Sequence, residues 1–303
     1  MNSIYICNTC DDCIKKIDVE NLDMDNIKLN SNGRPIGPRS IAIKDELGVV
    51  ANSYDNSLSF LDLINLKELE RVYIGPHPKD VKLYKEYACV ACSEINSIIF
   101  CNIKNKNIEF EVPSGNAPNS MALDFNRGIL LSTNLLENTV SLINLQSKTL
   151  DNKINVGEYP IKIIMSKNNE YFYLCESYLG GDNGGIIGIY SMKNLLCINR
   201  IKVGSMPIDI FEDENNEKLY IANFGRKSIS IVDIKKGEVI KDISVDGMPN
   251  GIIKIQKEIF VTDYLYGNLH VISEENNKRK IIAIGCEPNA MIMVNSNHQI
   301  VNW

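Results

Sequence analysis

Short apolar runs rich in Ile, Val, Tyr and Phe follow one another along the chain, with Gly, Pro, Asn and Asp between them. None sustains the i, i+3, i+4 spacing of an amphipathic helix, so the pattern predicts strands joined by turns, with few helices. The runs are periodic. Seven prolines, Pro38, Pro78, Pro118, Pro160, Pro207, Pro249 and Pro288, stand 40, 40, 42, 47, 42 and 39 residues apart. A Gly lies three residues before five of them (Gly75, Gly115, Gly157, Gly204 and Gly285), and Pro35 and Asp246 take that place in the other two. Three residues after each stands an apolar residue: Ile41, Val81, Met121, Ile163, Ile210, Ile252 and Met291. A repeat of about 40 residues that reads as short strands is the signature of a propeller blade.

Each unit carries further landmarks. A second run ends 14 to 16 residues after the Pro, at Asn52, Cys92, Asn134, Glu176, Asn223 and Asp263. A third begins six residues later at Leu58, Ile98, Val140, Ile229 and Leu269, which describes a hairpin of fixed length. A fourth, such as "VIKDISV" from Val239, leads into the next Gly-x-x-Pro. Pro fixes φ at the turn into the first strand, Gly supplies positive φ, and the Asn ending the second strand is expected to cap its own turn. The N-terminus opens with a second run, Ile4–Asn8, while the C-terminus supplies a first run, "NAMIMV", after Pro288. The expected fold is all-β: a seven-bladed β-propeller of four-stranded blades, residues 1–303 as one domain, its ring closed by strands from both termini. Such closure leaves no open sheet edge. Gln299–Asn302 competes with Ile4–Asn8 for the second place in the closing blade.

The Gly-x-x-Pro turns, the runs "YICN", "VVAN" and "YIAN", and the "IVD"-type strands after them resemble the YVTN-repeat, or YncE-like, family of seven-bladed β-propellers. The resemblance covers essentially the whole chain. It implies the fold and leaves the function open, because propellers host unrelated activities. Some relatives are thought to touch DNA. The charge here does not support that role: the net charge is −6, and a nucleic-acid surface wants a basic face. No apolar run reaches 18 residues and no basic start precedes an apolar segment, so a cytoplasmic protein without a membrane span is expected. The nine Cys then read as reduced thiols, with Cys7, Cys89, Cys101, Cys175 and Cys197 as small buried hydrophobes.

Candidate chemistry is concentrated in three places. The residues after each Pro begin the innermost strand, so Arg39, Lys79, Asp80, Asn119, Lys162, Asp209, Asn250 and Asn289 converge on the channel mouth as ligand-binding candidates. Asp80 and Asp209, with the Asn residues, offer oxygen to a hard cation. In "ESYLGGDNGG" the six-residue hairpin spacing grows to ten, and this insertion presents Glu176, Asp182 and Asn183. In "CNTCDDC", Cys7, Cys10 and Cys13, joined by Cys286 from "GCEP", could share a soft metal. Any such metal is expected on Cys10, Cys13 and Cys286 before Cys7. A symmetrical hairpin would also set Cys89 opposite Cys101. His77, His270 and His298 form no catalytic pairing by spacing, and no motif names a cofactor. The favoured function is a non-catalytic scaffold that presents the mouth and one loop face to a protein or small ligand. The alternatives are a metal-assisted hydrolase or lactonase at the mouth, and a thiolate metal or redox site.

Overall fold

Each of the seven prolines opens a strand: Pro38–Lys44, Pro78–Tyr84, Pro118–Asp124, Pro160–Met165, Pro207–Glu212, Pro249–Ile255 and Pro288–Val294. The structure, a computed structural model, describes residues 2–178, 184–215 and 217–295. Among these, every regular element is a strand, and the strands form seven four-stranded antiparallel sheets. We number the blades 1 to 7 from Pro38 and the strands outward from each Pro. The first strands touch one another in sequence, and Pro288–Val294 touches Pro38–Lys44, so the blades form a closed ring. No helix among the described residues is long and apolar enough to cross a membrane.

The core lies between the blades. Second strands such as Leu47–Asn52 and third strands such as Ser57–Asp62 are buried almost throughout, whereas fourth strands such as Lys67–Tyr73 are largely exposed. One apolar cluster joins Val49, Ala51 and Phe60 of blade 1 to Val81, Val90 and Cys92 of blade 2. Sheet faces are thus buried against neighbouring sheets, which explains the near-continuous apolar runs of the inner strands.

Blade 7 draws on both ends of the chain, in the order Pro288–Val294, Ser3–Asn8, Cys13–Asp18, Met24–Lys28. Ile4 faces Met293 and Ile6 faces Met291, so the N-terminal run fills the second place. The competing run Gln299–Asn302, with His298 and Trp303, lies outside the described residues.

Two backbone bonds recur in every blade. The residue after the second strand donates its N–H to the carbonyl of the residue before the Pro, as in Ser53 to Gly37 (2.8 Å) and Thr9 to Glu287 (3.1 Å). The residue after the fourth strand bonds back to the hairpin between strands two and three, as in Ile74 to Asn56 (2.9 Å). Together they bind that hairpin and the Gly-x-x-Pro turn into one face of the ring.

Three local expectations are corrected. In blade 4, Glu176 pairs with Ile186 where Asn52 pairs with Ser57, so the insertion is five residues and buried Ile187 stands in the place of Leu58. Cys89 does not face Cys101: Phe100 pairs with Cys89 and Cys101 with Ala88. One residue of register sends the two thiols to opposite faces of the sheet, into different apolar clusters. The Asn ending the second strand mostly binds elsewhere than its own turn. Asn134 accepts from the Gly115 amide (3.0 Å) and donates to Thr139 and Ser141 (2.8 and 2.9 Å). Turn capping falls instead to the residue that ends the third strand. Asp62, for example, accepts from Ile64 and Asn65 (3.0 and 2.9 Å).

Candidate functional site

The channel mouth is built by a bulge. In blade 1, Pro38 pairs with Asn52 but Ser40 pairs with Ala51, leaving Arg39 as the extra residue. The same step follows Pro78, Pro160, Pro207 and Pro249. A bulge redirects a side chain out of the sheet. All seven prolines are buried, yet Arg39, Lys79, Asn119, Ile161, Ile208, Asn250 and Asn289 after them are half-buried. The ring they form is uneven: two adjacent cations, three amides and two isoleucines.

The next position binds blades together. Asp80 Oδ2 accepts from the Met121 amide of blade 3 (2.7 Å), and Oδ1 accepts from the Ser40 hydroxyl of blade 1 (2.7 Å) and from Val81 N–H (2.8 Å). Lys82 stands 3.4 Å from the same oxygen. Asp209 Oδ2 accepts from the Ile252 amide of blade 6 (2.9 Å), while Oδ1 pairs with Lys162 at 3.0 Å. Ser120 occupies the same place in blade 3 and meets the Ile163 amide at 3.4 Å. Both carboxylates therefore hold neighbouring strands. Burial opposes the Lys162 charge, but Asp209 and Asp80 outweigh it and leave the pKa raised. Asp80 belongs to blade 2 and Lys162 to blade 4, so this influence crosses the channel.

The amides are also tied to neighbours. Asn119 donates to the Ile161 carbonyl (2.6 Å) and Asn250 to that of Pro288 (2.7 Å). Asn289 donates to the Thr9 hydroxyl.

Arg39 and Lys79 differ from the rest. Arg39 makes no hydrogen bond or ion pair with another described residue. Lost hydration pulls its pKa down, against the opposing influence of Tyr264, Tyr54, Asp80 and Glu287, although a guanidinium stays charged. The Lys79 ammonium lies 2.9 Å from His77 Nε2. Burial, then Arg39, brings Lys79 down to about 8, with Glu94 acting the other way. His77 is lowered too, by burial, Lys79 and Arg39.

Tyr54, Tyr264, His77 and Glu287 complete this side of the mouth and were not picked out by sequence. Their only signal was position: the first two follow the end of a second strand, and the last two precede a Pro. Tyr264 is pushed up to about 12 by burial and by its hydrogen bond to Glu287, so its phenol stays protonated.

The insertion contributes little to the mouth among the described residues. Asp182 and Asn183 lie outside them. Glu176 is buried and accepts from the Tyr190 hydroxyl (2.8 Å) and the Gly157 amide (3.0 Å), and it pairs with Arg200. Gly185 exchanges backbone bonds with Gly204 and Val203 (both 2.9 Å), and a methyl group there would strike the Pro207 ring.

All nine cysteines are free thiols. Cys10 and Cys286 are exposed and adjacent; burial, then the nearby Glu287 and Cys286, pushes Cys10 up to about 12. Cys7 and Cys13 are buried in the sheet, Cys7 within an apolar cluster. Among the described residues, no three His, Cys, Asp or Glu side chains are grouped as a metal ion would require. One further pair is enclosed: His270 Nε2 lies 3.8 Å from Asp263 Oδ2 in blade 6, where blades 1, 3 and 5 carry Asn and Ser.

No family model and no curated protein matches the chain. Solved structures do. A chain described as Kuenenia stuttgartiensis hydrazine synthase is similar over 92% of this chain and 94% of its own, at 12% identity and a TM-score of 0.71. A protein of unknown function from Desulfotomaculum acetoxidans matches over 97% of this chain and 99% of its own, at 14% identity and a TM-score of 0.80. At such identities the likeness shows the fold alone: this is a seven-bladed β-propeller.

Proposed function

We propose that the protein is a binding propeller of the YVTN-repeat kind, which docks a protein partner or a small ligand on the face that carries the channel mouth. The carrying observation is the set of large apolar side chains around that mouth. The hairpins between second and third strands expose Tyr54, Ile95, Leu136, Tyr178, Leu265 and Tyr266, the last at 65%. They come from five of the seven blades, 1, 2, 3, 4 and 6, so they border most of the channel. Exposed tyrosines and aliphatics around a polar centre favour docking. The acids at the mouth are already engaged by neighbouring blades, which favours recognition there over cation chemistry.

The test compares two surfaces. Tyr54→Ser with Tyr266→Ser should abolish recovery of a partner that the parent protein retains, since anchors of this kind contribute about 2 kcal/mol or more each. Ile108→Ser with Ile198→Ser, on outer strands, should leave recovery intact. The reverse pattern would move the docking surface to the rim.

A further inference from the structure

We infer that Arg39 and Lys79 form a binding site for an oxyanion, the carboxylate or phosphate group of a small ligand. The inference rests on the reading of the mouth as the binding surface and adds the chemistry of what binds there.

Four observations support it. First, the two cations are neighbours, supplied by equivalent bulge positions of blades 1 and 2. Like charges side by side in a concave, partly dehydrated place repel, and an anion between them removes that cost. Second, neither has a carboxylate in contact. Arg39 has no hydrogen bond or ion pair with another described residue, and the Lys79 ammonium meets a ring nitrogen of His77. Half-buried guanidinium groups are ordinarily hydrogen-bonded, and the planar fork of Arg suits an oxyanion in two-point contact.

Third, the nearby acids are committed elsewhere. Asp80 receives Ser40, Val81 and Met121. Glu287 makes no ion pair with either cation, and it helps to keep the protons on the neighbouring Cys10 thiol and Tyr264 hydroxyl. Fourth, the surroundings supply a neutral donor, the Tyr54 phenol, and an aromatic wall. The Tyr54 and Tyr264 phenols lie close enough to influence Arg39. Phe224 packs edge-on against Tyr264 at 5.8 Å between ring centres. A cation is a poor fit beside Arg39 and Lys79. A small anion with an apolar body suits the charged side and the isoleucines opposite it.

Calorimetric titrations of the full chain with inorganic phosphate and, separately, with citrate test this. At pH 7, saturable binding of at least one is expected, and which one binds tells phosphate from carboxylate. Arg39→Gln and Lys79→Gln should each weaken it by at least about tenfold, as expected for loss of a charged hydrogen bond. Arg39→Lys should recover part of the loss, and Lys104→Gln, on the other face, should change nothing. Two results would overturn the site: no heat of binding from either anion at about 10 mM, the weak end of specific affinity, or undiminished binding by both Gln variants. Partner recovery by the Arg39→Gln protein is read independently. If the parent protein retains its partner but binds neither anion, the anion site falls and the docking face stands. If the Tyr54 and Tyr266 variants also leave recovery unchanged, the docking face falls as well.

Discussion

Asp80 shows how one carboxylate can look like a ligand and act as a fastener. Its Oδ2 accepts the buried amide of Met121 in the next blade, and a buried N–H without an acceptor costs about 1–3 kcal/mol. Asp80→Ala should therefore lower the unfolding free energy in urea by about 2 kcal/mol. Asp80→Ser should recover part of that, because Ser120 meets the equivalent amide with a hydroxyl. Equal losses in both variants would assign the effect to charge instead of to the amide. Lys79 makes a second prediction at this scale. In the unfolded chain a lysine titrates near 10.5, but burial and Arg39 bring Lys79 to about 8 when folded. Between those values the folded protein holds one proton fewer, so this group's contribution to stability rises with pH across the window. Below pH 8 both states are protonated and the unfavourable charge is fully present. An NMR titration of the Lys79 side chain should give a midpoint of about 8, and Arg39→Gln should move it upward. Bound phosphate or citrate should raise it as well, so anion affinity falls as pH climbs through 8. A midpoint near the ordinary lysine value would show that Lys79 is solvated and that the two cations do not face each other.

Strands and turns were legible because the repeat states them seven times. Each Pro does open an inner strand, and the closing blade pairs the strand after Pro288 with Ser3–Asn8, a place for which Gln299–Asn302 is an equal candidate by sequence. What sequence could not supply was register. Cys89 and Cys101 looked opposed on the assumption of a symmetrical loop, but a pairing of Ser97 with Cys92 shifts them one residue apart. The insertion in blade 4 was measured from the first apolar residue, Ile186, although the buried match to Leu58 is Ile187. Turn capping was given to the wrong Asn for a related reason: both ends of a hairpin carry Asn or Asp, and only geometry tells which side chain reaches its own amides. The mouth was legible as a position and not as chemistry. The Pro landmark marked Arg39 and Lys79, but it could not tell free cations from the engaged acids at Asp80 and Asp209. Tyr54, Tyr264 and Glu287 come from other segments of the repeat, and only ring closure brings them to Arg39.

At the scale of the whole molecule, closure gives the ring two unlike faces. The mouth face gathers seven Pro turns, seven hairpins, the Arg39–Lys79 pair and the exposed Tyr54, Leu136, Tyr178 and Tyr266. The opposite face bears the polar turns after the first and third strands, among them Asp45, Glu46, Asn65, Lys85 and Glu86, which border a shallow hollow of about 640 Å³ between blades 1 and 2. A hollow of that size falls in the range of small-ligand pockets, but charged turns ring it and it lacks the convergent side chains of the mouth. Binding should therefore concentrate on one side of the disc. Site-specific photo-cross-linking in cells tests this most directly, with a photoreactive residue placed in turn at Tyr54, Tyr266, Ile64 and Phe125. The first two lie on the mouth face and the last two in turns of the other, and all four are exposed. The account expects the same discrete adduct from Tyr54 and Tyr266 and none from Ile64 or Phe125. Adducts from Ile64 and Phe125 alone would contradict it and place the working surface on the opposite side of the propeller.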